Sequence, residues 1–194
     1  MRYPAQAKEL THLLKEDQIE WRAFSQASLK ADDKSGLDER RKTLRQNVYQ
    51  RAERMLTILD EIREPSISNI GTDAAQAVSI LALHDSLRTL KRVLAKFARC
   101  YERDRRDTYY QAIPSMTDWL CILERKPQRF GTIWLGLDKK EPFLPTVEHF
   151  ESVNGRRAAY GIEPLRWPKA LAMPENEQPW LKRPLDELVM RDPT

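Results

Sequence analysis

The residues 71–101, GTDAAQAVSILALHDSLRTLKRVLAKFARCY, form the longest run of this chain with a helical apolar period. Steps of three and four residues predict one core-facing stripe: Ile80, His84, Leu87, Leu90, Leu94, Phe97 and Tyr101. Gly71 suits a turn, and Thr72 and Asp73 suit a helix start. Every member of the stripe is apolar or aromatic except His84. This makes His84 the first candidate for a functional side chain.

Two further helices are predicted before this run. Residues 5–29 carry a second stripe, in which an acidic residue stands where an apolar one is expected: Leu10, Leu14, Asp17, Trp21 and Phe24. Burying an unpaired carboxylate costs several kcal/mol, so Asp17 is either paired or at the edge of its stripe. Residues 30–37 form a polar break. A second helix is predicted at 38–64, where its alternating basic and acidic residues favour a solvated outer face.

The composition is typical of amphipathic helices with charged outer faces. The chain has 194 residues, of which 41% are hydrophobic and 32% charged, and only six are glycine. These values favour one helical domain, or one domain with a tail, over a turn-rich β fold. The 33 basic and 29 acidic residues leave a net charge of +4. Charge so evenly mixed favours a solvated surface over a nucleic-acid interface.

The sequence predicts a cytoplasmic protein that does not span a membrane. The charged N-terminal segment lacks the apolar core of a signal peptide, and no stretch approaches the roughly 18 apolar residues of a span. Cys100 and Cys121 lie in apolar helical contexts, which predicts buried, reduced thiols. A disulfide between neighbouring helices stays an open alternative.

The pattern changes after residue 101. A charged bend or helix extension at 102–107 precedes a helix at 108–126, which Pro114 is expected to kink or divide. Asp118 would either cap its second half or point inward. Aromatic and β-branched residues then predict a small β-hairpin near 128–145, followed by a short helix at 148–160.

The predicted fold class is mainly α: a bundle-like single domain with a small late β-hairpin and a Pro-rich C-terminal tail. The helical domain covers residues 1–165. The tail covers 166–194 and is expected to be extended, wrapping the body or partly disordered. Six of the 12 prolines lie from Pro164 onward, and Trp167 and Trp180 lie in the same segment.

Five short pieces carry a resemblance to a known family: Asp17-Gln18, GTDAAQAVSILALHD at 71–85, TDWLCIL at 117–123, KPQRFGT at 126–132 and VNGRRAAYGIEPL at 153–165. Over roughly residues 10–166 the chain resembles a bacterial family catalogued as domain of unknown function 6624. The positions that match the family pattern are His84, Asp118, Gln128, Gly131, Thr132, Arg156 and Arg157. The resemblance implies no known reaction.

The chain departs from that family pattern at three positions. Leu83, Trp119 and Ile133 stand where the family has Gln, Arg and Gln. If those polar groups form a catalytic site in the relatives, this chain has lost or altered it. The departures therefore favour binding over catalysis.

The candidate catalytic residues are His84, Asp17 and Asp118. A carboxylate beside the imidazole would fix its tautomer and raise its basicity, as a general base requires. Gln128 and Thr132 are candidate ligand contacts that would donate hydrogen bonds to a ligand oxygen. The alternative is a buried polar network that fixes helix register without chemistry.

A second candidate ligand contact is a pair of arginines. Arg156 and Arg157, with Arg129, could meet an anion such as phosphate or a carboxylate. The alternative is surface arginines on a short helix. The sequence contains no GxSxG, P-loop or GxGxxG motif, and its histidines lack ligand-like spacing, so neither a metal nor a cofactor is predicted.

Three functions stay open at this point. The first is binding of a small molecule, peptide or protein in a polar pocket around His84. The second is a small hydrolase or transferase that uses His84 as general base. The third is nucleic-acid binding through the basic segments 40–54 and 88–106, which the balanced charge ranks last. The sequence predicts no oligomeric state.

Overall fold

The computed structural model describes residues 1–30, 34–134 and 144–166 of the chain. Their secondary structure is helical and contains no strand, which confirms the mainly α prediction. The α-helices are α1 (Pro4–Lys30), α2 (Lys34–Glu61), α3 (Ile67–His84), α4 (Leu87–Arg103), α5 (Ala112–Leu123) and α6 (Val153–Ala159). Short 3₁₀ helices occur at Arg105–Asp107 and Phe150–Ser152.

The chain divides into two compact units. The first unit covers Met1–Tyr109 and contains α1 to α4. The second unit begins at Tyr110 and contains α5 and α6.

The core of the first unit includes Leu10 of the predicted α1 stripe, whereas Leu14, Trp21 and Phe24 of that stripe are half-buried. Helix α1 contacts both α2 and α3, and α3 contacts α4. The fully buried large side chains of this core are Leu10, Met55, Ile58, Leu59, Ile62, Ile70, Leu90 and Phe97. Burying a side chain of this size contributes roughly 1.5–3 kcal/mol, so these residues hold the four helices together.

The prediction of one helix over 71–101 is wrong, because the chain breaks between α3 and α4. Asp85 has extended backbone angles, and the Ser86 hydroxyl accepts a hydrogen bond from the Thr89 amide as the N-cap of α4. Leu87 of the predicted stripe is exposed at the first position of α4, whereas Leu90 and Phe97 of the same stripe are fully buried.

One local expectation is corrected. Pro114 does not kink or divide a helix, because it lies in the first turn of α5, where its missing N–H is not needed.

The predicted turn at Gly71 is confirmed. Gly71 has φ of 78° and divides α3 into a short first segment, whose N-cap is Ser66, and a longer segment that begins at Thr72.

The predicted β-hairpin is not seen among the described residues. In the expected region, Gln128 pairs with Val147 in one isolated parallel bridge, whereas a hairpin requires an antiparallel ladder. Residues 135–143, which would hold its turn, lie outside the described residues. The predicted tail lies almost entirely outside them as well, since the description ends at residue 166.

Both cysteines are free, as expected. Cys100 is buried and Cys121 is half-buried. Among the helices of residues 1–30, 34–134 and 144–166, none has the length and apolarity that a membrane span requires.

Candidate functional site

His84 and Asp17 meet in the first unit. The Asp17 side chain is fully buried on α1, and its Oδ2 lies 2.6 Å from Nδ1 of His84 at the end of α3. A carboxylate can only accept a hydrogen bond, so Nδ1 carries the proton of this contact. Asp17 is therefore not at the edge of its stripe: it is buried and paired. This pair is the carboxylate–imidazole arrangement that the two stripes suggest.

Arg51 completes the charge balance of the pair. Its Nη2 donates to Asp17 Oδ1 at 3.3 Å and to Glu20 Oε2 at 2.9 Å. Glu20 in turn accepts from the Asn47 amide at 3.1 Å. The result is a continuous polar chain from His84 through Asp17 and Arg51 to Glu20, in which one guanidinium contacts both carboxylates.

The other edge of the imidazole is open. The His84 side chain keeps 26% of its surface exposed, and its only hydrogen bond to the described residues runs through Nδ1. The Trp21 ring lies against the imidazole, with ring centroids 5.1 Å apart. In the neutral imidazole with its one proton on Nδ1, Nε2 holds a lone pair and is a hydrogen-bond acceptor, or a base, for an incoming group.

Two open cavities lie along the seam between α1 and α2. One has a volume of about 460 Å³ and is lined by Leu13, Glu16, Ile19, Glu20, Asn47, Gln50 and Arg51. The other, of about 330 Å³, is lined by residues that include Phe24, Leu44, Glu20 and Asn47. His84 lines neither cavity. The larger one reaches the His84 pair only through Arg51 and Glu20.

Asp118 has a different environment in the second unit. It is fully buried on α5 and accepts four hydrogen bonds from the loop 129–132. Oδ1 accepts from the amides of Arg129 and Phe130 at 2.7 and 2.9 Å, and Oδ2 accepts from the amide and hydroxyl of Thr132, both at 2.8 Å. Asp118 points inward, and both of its oxygens are occupied by the loop.

Two forces act on the Asp118 carboxyl. Burial raises its pKa, and the hydrogen bonds from Thr132, Phe130 and Arg129 lower it. The balance is a pKa above the ordinary value. The four donors nevertheless determine the geometry, because they all converge on this one side chain.

The same loop also receives hydrogen bonds from the side chains of Gln128, Arg156 and Arg157. The Gln128 amide is buried and exchanges hydrogen bonds with the backbone of Ile133, at 3.0 Å and 2.9 Å. Arg157 donates to the carbonyl of Phe130 at 2.7 Å, and Arg156 donates to the carbonyl of Arg129 at 2.7 Å. These are side chain–backbone contacts that shape the loop from two sides.

The predicted site residues thus fall into two clusters. Asp17 and His84 come together in the first unit. Five others come together in the second unit around the loop 128–133: Asp118, Gln128, Thr132, Arg156 and Arg157. Their roles as catalytic or ligand-binding groups stay predictions.

Arg51 is the residue of the first cluster that the sequence interpretation misses. Its alternating charged neighbours favour a solvated face, yet its side chain is only 8% exposed. One signal exists: a carboxylate at a core position, Asp17, requires a buried cation or several donors. The sequence does not say which of the many arginines supplies it.

Six basic residues of the segments 40–54 and 88–106 pair with carboxylates of the first unit. They are Arg41, Arg51, Arg54, Arg92, Lys96 and Arg103. Basic side chains engaged in this way present less free positive charge to a phosphate backbone. Nucleic-acid binding stays a prediction from the sequence.

The remaining reactive residue types are the cysteines and the possible metal ligands. Burial raises the pKa of Cys100 and of Cys121 to about 11, which keeps both thiols protonated at neutral pH. No group of three or more His, Cys, Asp or Glu side chains could hold a metal ion within the part of the chain that the structure describes.

Comparisons with known proteins give no match to this chain, whether with family models, curated proteins or solved structures. The resemblance to the domain of unknown function 6624 family therefore stays a prediction from the sequence.

Proposed function

We propose that this chain is a ligand- or partner-binding helical protein whose binding group is the partly exposed imidazole of His84, oriented by Asp17. The observation that carries the proposal is the 2.6 Å contact of Nδ1 with Asp17 on a partly exposed imidazole. Because 26% of the His84 side chain is exposed, the imidazole can be reached from solvent, unlike a histidine sealed inside a buried network.

The chemistry of Nε2 defines the group that binds. With its proton held on Nδ1 by Asp17, the imidazole offers a lone pair, so the ligand supplies a hydroxyl, amide or ammonium N–H or O–H donor. The Trp21 ring beside the imidazole would cover an apolar part of the same ligand. The ligand is a small molecule, or a side chain of a peptide or protein.

The test uses the three histidines of the chain as mutual controls. The side chains of His12 and His149 are 65% and 77% exposed, so they report non-specific contact with a probe. Small alcohols, amides and ammonium compounds are added while the carbon-bound ring protons are followed by NMR. A probe that moves only the His84 signals, and that no longer binds in His84→Phe, supports the proposal. Equal shifts of all three histidines, or none, would refute it.

Catalysis is the second candidate, with His84 as general base in a hydrolase or transferase. The observation that favours it is the same Asp17–His84 contact, because an orienting carboxylate is what a general-base imidazole requires. The full chain and His84→Ala are compared against acyl- and phosphoryl-transfer substrates. Turnover that is lost in a variant of unchanged stability supports catalysis. A variant destabilised by about 1–3 kcal/mol, with no turnover in either form, supports a structural role.

The departures from the family pattern give a sharper test of catalysis. Leu83→Gln and Ile133→Gln restore two polar groups that relatives are expected to carry. An activity that appears or rises in the double variant would mean that this chain descends from an enzyme. Unchanged inactivity supports binding.

We also propose that the chain belongs to the bacterial family of domain of unknown function 6624 and acts in the cytoplasm. The resemblance at His84, Asp118 and Gln128 supports the first proposal. The free state of Cys100 and Cys121 supports the second, because reducing compartments keep thiols unpaired. Labelling of both thiols in fresh cell lysate, without a reductant, tests the location.

A further inference from the structure

One nitrogen of Arg51 serves two carboxylates. Nη2 donates to Asp17 Oδ1 at 3.3 Å and to Glu20 Oε2 at 2.9 Å, so the contact with Asp17 is the longer one. The guanidinium therefore divides its charge between the partner of His84 and a glutamate on the same helix α1. Nη2 has two N–H groups and can donate one to each carboxylate, but the single positive charge of the guanidinium faces two negative charges.

Arg51 is held without the rigid geometry that arginine usually adopts. A bidentate fork would engage two of its nitrogens with one carboxylate, yet here the Nε of Arg51 is buried and has no partner among the described residues. Buried donors are normally paired. The side chain thus retains an unused donor, and a small rotation would redistribute its hydrogen bonds between Asp17 and Glu20.

The Glu20 end of this chain is open to solvent. Glu20 and Arg51 both line the cavity of about 460 Å³ between α1 and α2. The Glu20 side chain is 35% exposed, whereas Asp17 is fully buried. A group that enters the cavity can therefore reach Glu20 directly and His84 only through Arg51.

We infer that Arg51 is a positioning residue that couples the cavity between α1 and α2 to the imidazole of His84. The inference rests on the proposed function, in which His84 is the binding group. When the contact between Glu20 and Arg51 is lost, Arg51 neutralises Asp17 more fully. The hydrogen bond that Asp17 accepts from Nδ1 of His84 then becomes weaker. When Arg51 is removed, Asp17 keeps its whole charge and accepts more strongly.

The test follows the Nδ1 nitrogen resonance of His84 in the full chain without ligand, detected through the carbon-bound ring protons. Stronger hydrogen bonding moves this resonance downfield. We expect an upfield shift in Glu20→Gln and a downfield shift in Arg51→Gln. A loosened structure would move both variants in the same direction, so opposite signs distinguish coupling from a merely structural role.

Glu16→Gln is the matched control. Glu16 lies one turn earlier on α1, lines the same cavity and pairs with His12 rather than Arg51. We expect no shift of the His84 resonance in this variant. Shifts of equal size in Glu16→Gln and Glu20→Gln, or no shift in Glu20→Gln, would overturn the inference. If Arg51→Gln does not fold, the comparison of Glu20→Gln with Glu16→Gln still tests the inference, because both variants keep Arg51.

The outcome is separable from that of the proposed function. If probes bind at His84 but Glu20→Gln does not shift the His84 resonance, the coupling is refuted and the proposed binding site is retained. If the expected shifts occur but His84 binds no probe, the coupling is supported and the proposed function is refuted.

Discussion

Replacing Asp118 by asparagine tests whether one buried carboxylate holds the loop 129–132. The substitution keeps the shape of the side chain but exchanges one oxygen for an NH₂ group. In the wild type both oxygens receive two donors each, from Arg129 and Phe130 on one side and from Thr132 on the other. An NH₂ group must therefore face at least one backbone donor.

The expected cost follows from the best arrangement left to the asparagine. With the NH₂ group toward Thr132, the hydroxyl can turn and accept, and only the Thr132 amide loses its partner. One unpaired buried donor costs about 1–3 kcal/mol, and the two remaining bonds each lose charge assistance of about 1 kcal/mol. Relief from burying a charge, which raises the pKa of Asp118, offsets part of this. The net loss is about 2–4 kcal/mol.

Native-state hydrogen exchange measures this loss at the loop itself. If the loop opens locally, exchange of the Arg129, Phe130 and Thr132 amides should become about 30- to 700-fold faster in Asp118→Asn. Thr132→Val removes only the hydroxyl and should cost about 1 kcal/mol, roughly a fivefold change. Amides of α3 are the internal reference. Exchange in Asp118→Asn within twofold of wild type would show that the carboxylate does not hold the loop.

Three further substitutions test other parts of the structure. Lys96 is buried and donates to the carbonyls of Leu59 and Arg63, both at 3.0 Å, so Lys96→Met should lower the free energy of unfolding by about 1–3 kcal/mol in urea. An unchanged urea midpoint would contradict this role. Arg63 has φ of 66°, and Arg63→Gly should raise stability by about 0.5–1 kcal/mol, seen as a higher Tm. A lower Tm would mean that the arginine side chain is needed. Burial raises the pKa of Asp107, but hydrogen bonds from the Ser68 hydroxyl and amide outweigh it, and the pKa lies below its ordinary value. Its stabilising contribution is therefore complete above about pH 4 and lost as the pH falls through the lowered value. In Asp107→Asn, the free energy of unfolding should fall less steeply as the pH is lowered into the acid range. An unchanged slope would mean that other carboxylates cause the loss of stability in acid.

The pairing of Asp17 and His84 was within reach of the sequence. Each residue interrupts an apolar stripe of helical period, and a buried polar group needs a partner. The burial of Leu10 follows from the same local periodicity, whereas Leu14, Trp21 and Phe24 of that stripe are only half-buried.

The helix break at Asp85 and Ser86 has a local sequence signal, but the apolar periodicity across it predicts a continuous helix. Ser86 with Thr89 three residues later is a plausible N-cap, but the run of apolar positions continues across it. Arg51 had no such signal. Its burial depends on how α1 packs against α2, and periodicity within one helix does not encode that geometry.

The loop in the second unit was out of reach for a different reason. Aromatic and β-branched residues predict strands, yet the described part of 128–134 is held by side chains distant in sequence, above all Asp118 and Arg157. Such tertiary contacts override local preference.

The measurement that tests the central claim most directly is the tautomer of His84, read from the nitrogen resonances of its ring at neutral pH. If Asp17 holds the Nδ1 proton and Nε2 is the open acceptor, Nδ1 should give a protonated-type resonance and Nε2 an unprotonated one. In Asp17→Asn this preference should weaken, while the exposed His12 and His149 stay unchanged. A proton on Nε2 in the wild type, or a tautomer unaffected by Asp17→Asn, would contradict the proposed binding group.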